Sequence, residues 1–325
     1  MQCSAEHHQP SHLFNNTSTP STHNNTLPPT KTNLHIPFAR QLTTPSNTHY
    51  KTRLNIRPKQ NHIDKQTNAS PITETSNNTL TRMTSMNLCK CIEPDDIQAS
   101  YDAAINEDLA NAPQTIPGGR QKRAVGDHTK FWKKGRTLKV AFLSTNRWFI
   151  EATQGAIHQW IPAVFDVRIL FVEGSEGDIR ISDEFHSGNW SVVGTDALLV
   201  PKDEPTMNLQ WQGLNQVFFG NVLHEFGHAL GLKHEHQHPD ANINWNETAV
   251  YEFMSRTQKW SREEIYSNLL KKLEKPKTRT SPYDRTSIMH YPIQAELTLD
   301  GVAIARNNRL SANDVKLMTE IYSGR

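Results

Sequence analysis

The run Val222-Leu223-His224-Glu225-Phe226-Gly227-His228-Ala229-Leu230-Gly231-Leu232-Lys233-His234 decides how this chain is read. Val217, Phe218, Val222, Leu223, Phe226 and Leu230 recur at helical spacing, so the segment from Asn208 to Gly231 is expected to contain a long apolar helix. Residues four apart on a helix lie about 40° apart around the axis and about 6 Å along it, so His224 and His228 can aim two imidazoles at one ion. Glu225 stands one residue round, where a carboxylate can take a proton from a metal-activated water without entering the coordination sphere. Gly231 can adopt a positive φ, end the helix and let His234 approach from another side. Three nitrogens and a water make a tetrahedral zinc site with an open position, so one Zn2+ per chain is expected. Chance placement of these five residues, given 16 His in 325 residues, is about one in ten thousand over the chain. A structural zinc would favour cysteine ligands and has no use for Glu225.

Outward from this run, the composition separates two regions. All seven Trp lie at or after Trp132 and all fifteen Gly at or after Gly118. Residues 1–85 are crowded with Asn, Thr, Ser, His and Pro, contain only the acids Glu6, Asp64 and Glu74, and show no apolar periodicity. Such a segment has too little apolar surface to offset the entropy of ordering it, and is expected to be a disordered tail. Residues 86–123 read as a short helix and a linker. Ile97, Tyr101, Ala104, Ile105 and Leu109 share one helical face behind Asp95 and Asp96, and the linker holds Pro113, Pro117, Gly118-Gly119 and the basic run Arg120 to Arg123. Residues 124–325 are expected to fold as one domain. Strands are predicted at Leu138–Leu143, Val167–Val172 and Asp178–Ser182, a helix at Glu151–Trp160, and a last helix opened by Ser311 and Asp314 with Val315, Met318, Ile321 and Tyr322 on one face.

The net charge of +2, with 35 Lys+Arg against 33 Asp+Glu, argues against a nucleic-acid partner. No run approaches the 18 or so apolar residues of a membrane-spanning helix, so no membrane partner is expected, and no feature points to an oligomeric state. No secretory apolar segment follows Met1, which points to an intracellular or unconventionally exported protein, with an extracellular one as the alternative. Cys3, Cys89 and Cys91 all lie in the first third. Cys89-Lys90-Cys91 is read as a pair of surface thiols, a thiolate cap on the zinc being the rival reading.

Together with Ser287-Ile288-Met289-His290-Tyr291-Pro292, the histidine run resembles the metzincin metallopeptidases, whose HExxHxxGxxH pattern is followed by a tight Met-containing turn. Glu235 directly after the third histidine, and the wording of the turn, resemble the astacin family of peptidases in particular. Likeness extends along Gly177–Ser182, Trp190–Gly194 and Thr206–Leu209, so it covers roughly residues 124–325. The resemblance implies an α+β fold with a twisted mixed sheet, an active-site helix above the cleft and a C-terminal helical subdomain. It further implies a zinc endopeptidase acting on protein or peptide substrates, with Met289 supporting the zinc site from below and Tyr291 as a metal ligand that swings away to stabilise the oxyanion. Thr206, Met207, Asn208 and Leu209 would supply the edge strand for the substrate, residues 86–123 would be a candidate latency segment, and Glu235 would pair with an amino terminus freed by processing at Arg120–Arg123, although that run reads first as a solvated basic linker. Family members in animals carry disulfides in this domain, whereas this chain has no cysteine there. Two alternatives remain: a gluzincin-type enzyme completed by Glu247, and an idle zinc-binding interaction module.

Overall fold

The computed structural model describes residues 88–113, 128–274 and 282–323. The expected tail and the basic run at 120–123 lie outside the described residues. Six strands form one mixed sheet: β1 (Lys90–Ile92), β2 (Thr137–Phe142), β3 (Arg168–Val172), β4 (Ile179–Ser182), β5 (Trp190–Val192) and β6 (Met207–Asn208). Their order is β1-β5-β6-β4-β2-β3, parallel throughout except for the β5–β6 pair. Six α-helices accompany it: α1 (Ile97–Glu107), α2 (Arg147–Ile157), α3 (Gln216–Ala229), α4 (Glu247–Thr257), α5 (Arg262–Ile265) and α6 (Ala312–Tyr322). This is the α+β architecture the sequence implies.

Leu138, Val140, Ile179 and Ile181 of the sheet meet Phe149 and Ile157 of α2 and Val222, Leu223 and Phe226 of α3 in the main core. A second cluster, with Val250, Phe253, Trp260, Ile265, Tyr291 and Ile293, builds the C-terminal half. Both cores reach the histidine run, which lies on α3 and the turn after it. The candidate latency segment enters both halves. Its residues Leu88 and Cys89 belong to the second cluster, while α1 packs on the 3-10 turn Gly194–Leu199.

Several expectations are corrected. The buried side of α1 carries Ser100 and Ala104, while Ile97 and Leu109 are exposed. The helix docks by polarity as much as by its apolar face. Ser100 Oγ donates to Asp196 Oδ1 at 2.6 Å, and Lys130 Nζ pairs with the other carboxylate oxygen at 2.5 Å. Residues 206–209 are not a sheet edge, because β6 is hydrogen-bonded to β4 on one side and β5 on the other, and Thr206, Met207, Asn208 and Leu209 are all buried. Asn208 instead pins the loop before β5, donating from Nδ2 to the carbonyls of Glu184 and Gly188. The edge beside β6 is β5, whose outer side is taken by β1 in parallel register, Lys90 opposite Trp190 and Ile92 opposite Val192.

The last helix begins as expected, with Ser311 and Asp314 exchanging hydrogen bonds in a capping box, although Val315 is exposed rather than part of the buried face. Asp314 does more than cap. Its buried carboxylate also accepts from Ser287 Oγ at 2.6 Å and from Ile288 N at 2.8 Å, tying the Met-containing turn to α6. Asp314→Ala leaves those donors buried without an acceptor and is expected to destabilise the fold by about 3 kcal/mol, read by chemical denaturation. An unchanged unfolding midpoint would show that the turn is held by other means.

Candidate metal centre

Asn215 caps α3 by accepting from Phe218 N, and the helix then carries His224, Glu225 and His228 into the interior. It ends in a Schellman arrangement: Leu232 N donates to Gly227 O at 3.0 Å and Gly231 N to His228 O at 2.8 Å, with Gly231 at φ 101°. A side chain at Gly231 would also strike Phe131, so glycine is required there twice over. The reversed chain brings His234 back beside His228, with the two Nε2 atoms 3.1 Å apart.

The rings are aimed by backbone carbonyls. His224 Nδ1 donates to Ile288 O at 2.7 Å and His228 Nδ1 to Leu232 O at 2.8 Å, which leaves each Nε2 free of a proton and facing the common centre. Burial depresses the basicity of all three, His228 to about 4, so they stand as neutral donors. The fourth corner is a cysteine. Cys89 Sγ lies 3.1 Å from His224 Nε2, 3.2 Å from His234 Nε2 and 3.5 Å from His228 Nε2. A tetrahedral zinc with ordinary bonds to nitrogen and sulfur separates its donors by roughly 3.4 Å. The four atoms, all within 4.8 Å of one another, therefore suit a single zinc ion. The reading of Cys89 as a surface thiol is thus corrected: it is buried, and its partners lie more than 130 positions away in sequence. Cys91, on the same strand face, is half-buried with Sγ 3.5 Å from His228 Nε2.

Glu225 is buried beside this set, and its Oε2 has no hydrogen-bond partner. Burial raises its carboxyl well above the usual carboxylate range. Met289 lies beneath α3, where a side chain on Gly227 would fall on its sulfur. Tyr291 is buried above, its hydroxyl donating to Cys89 O at 2.5 Å with Cys89 Sγ at 3.6 Å. Glu235 turns away from the metal donors: Asp284 N donates to its Oε1 at 2.7 Å, its own N–H bonds Met289 O at 3.0 Å, and burial raises its carboxyl to about 7. Glu247 sits exposed in the first turn of α4, outside the donor cluster, which removes the gluzincin reading.

A pocket opens beside Glu225, lined among others by Asn221, Ile288, Pro292, Arg306 and Asn307. Arg306 Nη1 donates to Asn221 Oδ1 at 3.0 Å. The sequence gives no sign of either residue, nor of Asp314 as a support of the Met-containing turn, because each reaches the site only through long-range packing, and His236, though two residues after His234, is not distinguished there from the other histidines. For Cys89 a signal does exist: a Cys-x-Cys pair in a chain with one other cysteine. Replacing His234 with Ala is expected to weaken zinc binding by more than about a hundredfold, while Glu247→Ala keeps one zinc per chain, measured by metal analysis after competition with a chelator. Loss of zinc from the second variant alone would overturn the donor assignment.

Residues 127–323 match the model of the peptidase family described as Astacin. Similar proteins include a protein named zinc metalloproteinase nas-17 from Caenorhabditis elegans, 26% identical over 204 residues, covering 62% of this chain and 44% of that protein. A second, named zinc metalloproteinase nas-36 from Brugia malayi, is 31% identical over 116 residues, covering 32% of this chain and 18% of that protein. The chain thus spans less than half the length of these relatives. Among solved structures, one of myroilysin superposes with a TM-score of 0.58 at 32% identity, covering 60% of this chain and 97% of that one. The matched family model embraces the three histidine donors, Glu225, the Met-containing turn and α6, and the chain belongs to the astacin family of metallopeptidases.

Proposed function

We propose that the chain is a zinc-dependent endopeptidase, acting on protein or peptide substrates, that is held in a latent state. The observation that carries this reading is Glu225, a buried carboxylate with an unpartnered oxygen beside three imidazole donors whose fourth corner is filled by a thiol from residues 88–113. Zinc, when bound, supplies polarisation of the scissile carbonyl and acidifies the attacking water. Glu225 takes the proton from that water and delivers it to the leaving amine. Tyr291, released from Cys89 O, turns its hydroxyl toward the developing oxyanion. An extended substrate pairs with β5 once β1 has left, since β-strand addition needs a free edge and β6 has none. The relatives named zinc metalloproteinases support the same chemistry.

Residues 86–123 act in this reading as the latency segment and residues 124–325 as the catalytic domain. Several contacts support a segment that blocks rather than merely precedes. Cys89 fills the open metal position, β1 covers the substrate edge, Glu93 pairs with Lys233 at 2.7 Å, and Glu107 pairs with Arg136 at 2.7 Å. Asn111 Nδ2 donates to Phe131 O while its Oδ1 accepts from Phe131 N, joining the segment's end to the start of the catalytic portion. An idle binding module has no need of a general base or of a guard over it.

In the zinc-loaded chain after trypsin has cut at the basic run Arg120–Arg123, Glu225→Gln is expected to keep its zinc and lose about a thousandfold or more of its peptide cleavage. Cleavage at the parent rate would refute the general-base role, and one bound zinc with no Glu225-dependent cleavage would favour the module. The uncut chain is expected to be silent, and Cys89→Ala, which loosens the segment by removing its donor to the metal site, to gain only partial cleavage without being cut, because β1 still pairs with β5. Equal rates for the cut and uncut parent would remove latency from the account.

A further inference from the structure

Tyr291 is held by more than its hydroxyl. Its ring is enclosed by imidazoles, two of which, His224 and His234, are metal donors. The third, His236, is buried and stands outside the donor set. Its ring lies nearly parallel to that of Tyr291, with centroids 4.3 Å apart and planes at 23°, while the His234 ring stands at 55° to the phenol. His236 is fixed in turn. Its Nε2 donates to Asn268 O at 3.0 Å, a carbonyl presented by the π-helical turn Tyr266–Leu270, and the neighbouring Gln237 Nε2 bonds Ser267 O and Lys271 O. A π turn is a costly local geometry that recurs at functional sites. Here two successive residues of the turn after His234 bind the carbonyls in and just beyond it.

Among the described residues the hydrogen-bond partners of the Tyr291 hydroxyl, Cys89 O and Cys89 Sγ, belong to the latency segment. The stacking platform belongs to the catalytic portion and stays when that segment leaves. The backbone of Tyr291 is held separately, through His290 Nδ1 on Tyr291 O, with Tyr283 OH on the far side of His290. A ring with its backbone and one face fixed has few remaining positions, and parallel offset stacking of this kind restrains a phenol by about a factor of ten in population.

We propose that His236 is a positioning residue for Tyr291, its imidazole serving as the platform that sets where the tyrosine hydroxyl stands beside the metal site. The inference rests on the reading of Tyr291 as a participant in the reaction, and its test separates the two. The full chain, loaded with zinc, is labelled with 3-fluorotyrosine, and the Tyr291 fluorine signal is assigned by its loss in Tyr291→Phe. His236→Ala is expected to shift or broaden that signal alone among the seven tyrosines while zinc stays at one per chain. His236→Gln removes the ring but keeps a donor for Asn268 O, and is expected to act as Ala does, so a folding defect in Ala leaves the test intact. His236→Phe restores a flat platform and is expected to return the signal. After trypsin cleavage, kcat is expected to fall about tenfold in the Ala and Gln variants with KM within about twofold, and to fall no further when either is added to Tyr291→Phe. An unmoved Tyr291 signal, or a loss in kcat that adds fully to that of Tyr291→Phe, would overturn the proposal. If Tyr291→Phe alone left kcat unchanged, the role of Tyr291 would fail, and the fluorine signal would still decide whether His236 positions it.

Discussion

Everything in this molecule is arranged around three buried imidazoles whose Nε2 atoms must face one point without protons. Burying neutral rings is tolerable, but burying three lone pairs with nothing between them is not. The fold answers by assigning the outer nitrogens of two of them a task. Ile288 O and Leu232 O fix the tautomers of His224 and His228, and the central lone pairs are left for an ion. A zinc ion held there would satisfy them together with the Cys89 sulfur, and its binding would then add to the stability of the fold.

The elements around the site follow from that demand. The carbonyl that holds His224 belongs to the Met-containing turn, and the amide of the same residue, Ile288, is held by Asp314. A single residue's backbone therefore connects a metal donor to the first turn of the last helix, which explains why a carboxylate is buried at a capping position. On the opposite side residues 88–113 supply a strand, a thiol and a helix to three different parts of the rest of the chain. Each contact is modest alone. Collectively they bind residues 88–113 at several points, the thiol of Cys89 directly preceding the strand paired to β5.

The histidine run is legible in the sequence because helical geometry is local: spacing by four puts His224 and His228 on one side, and Gly231 announces the turn that returns His234. The capping residues of α6 are legible for the same reason. Sheet order is not. A two-residue strand such as β6 has no periodicity of its own, and whether it lies inside or at the edge depends on partners at 181–182 and 190–191. The buried face of α1 escapes because the helix is drawn in by Ser100 toward Asp196, against the direction of its larger apolar side chains. Cys89 is legible only as one of two readings, because the Cys-x-Cys pair does not say which neighbours it meets until the chain has folded back over more than 130 residues. His236 looks like one of many histidines, and only its stacking on Tyr291 separates it from the rest.

The most direct measurement is X-ray absorption at the zinc edge of the intact chain. The account predicts one zinc with three nitrogen neighbours near about 2.0 Å and one sulfur near about 2.3 Å, the sulfur shell disappearing in Cys89→Ala. A zinc surrounded only by nitrogen and oxygen in the intact chain would contradict the latent metal centre.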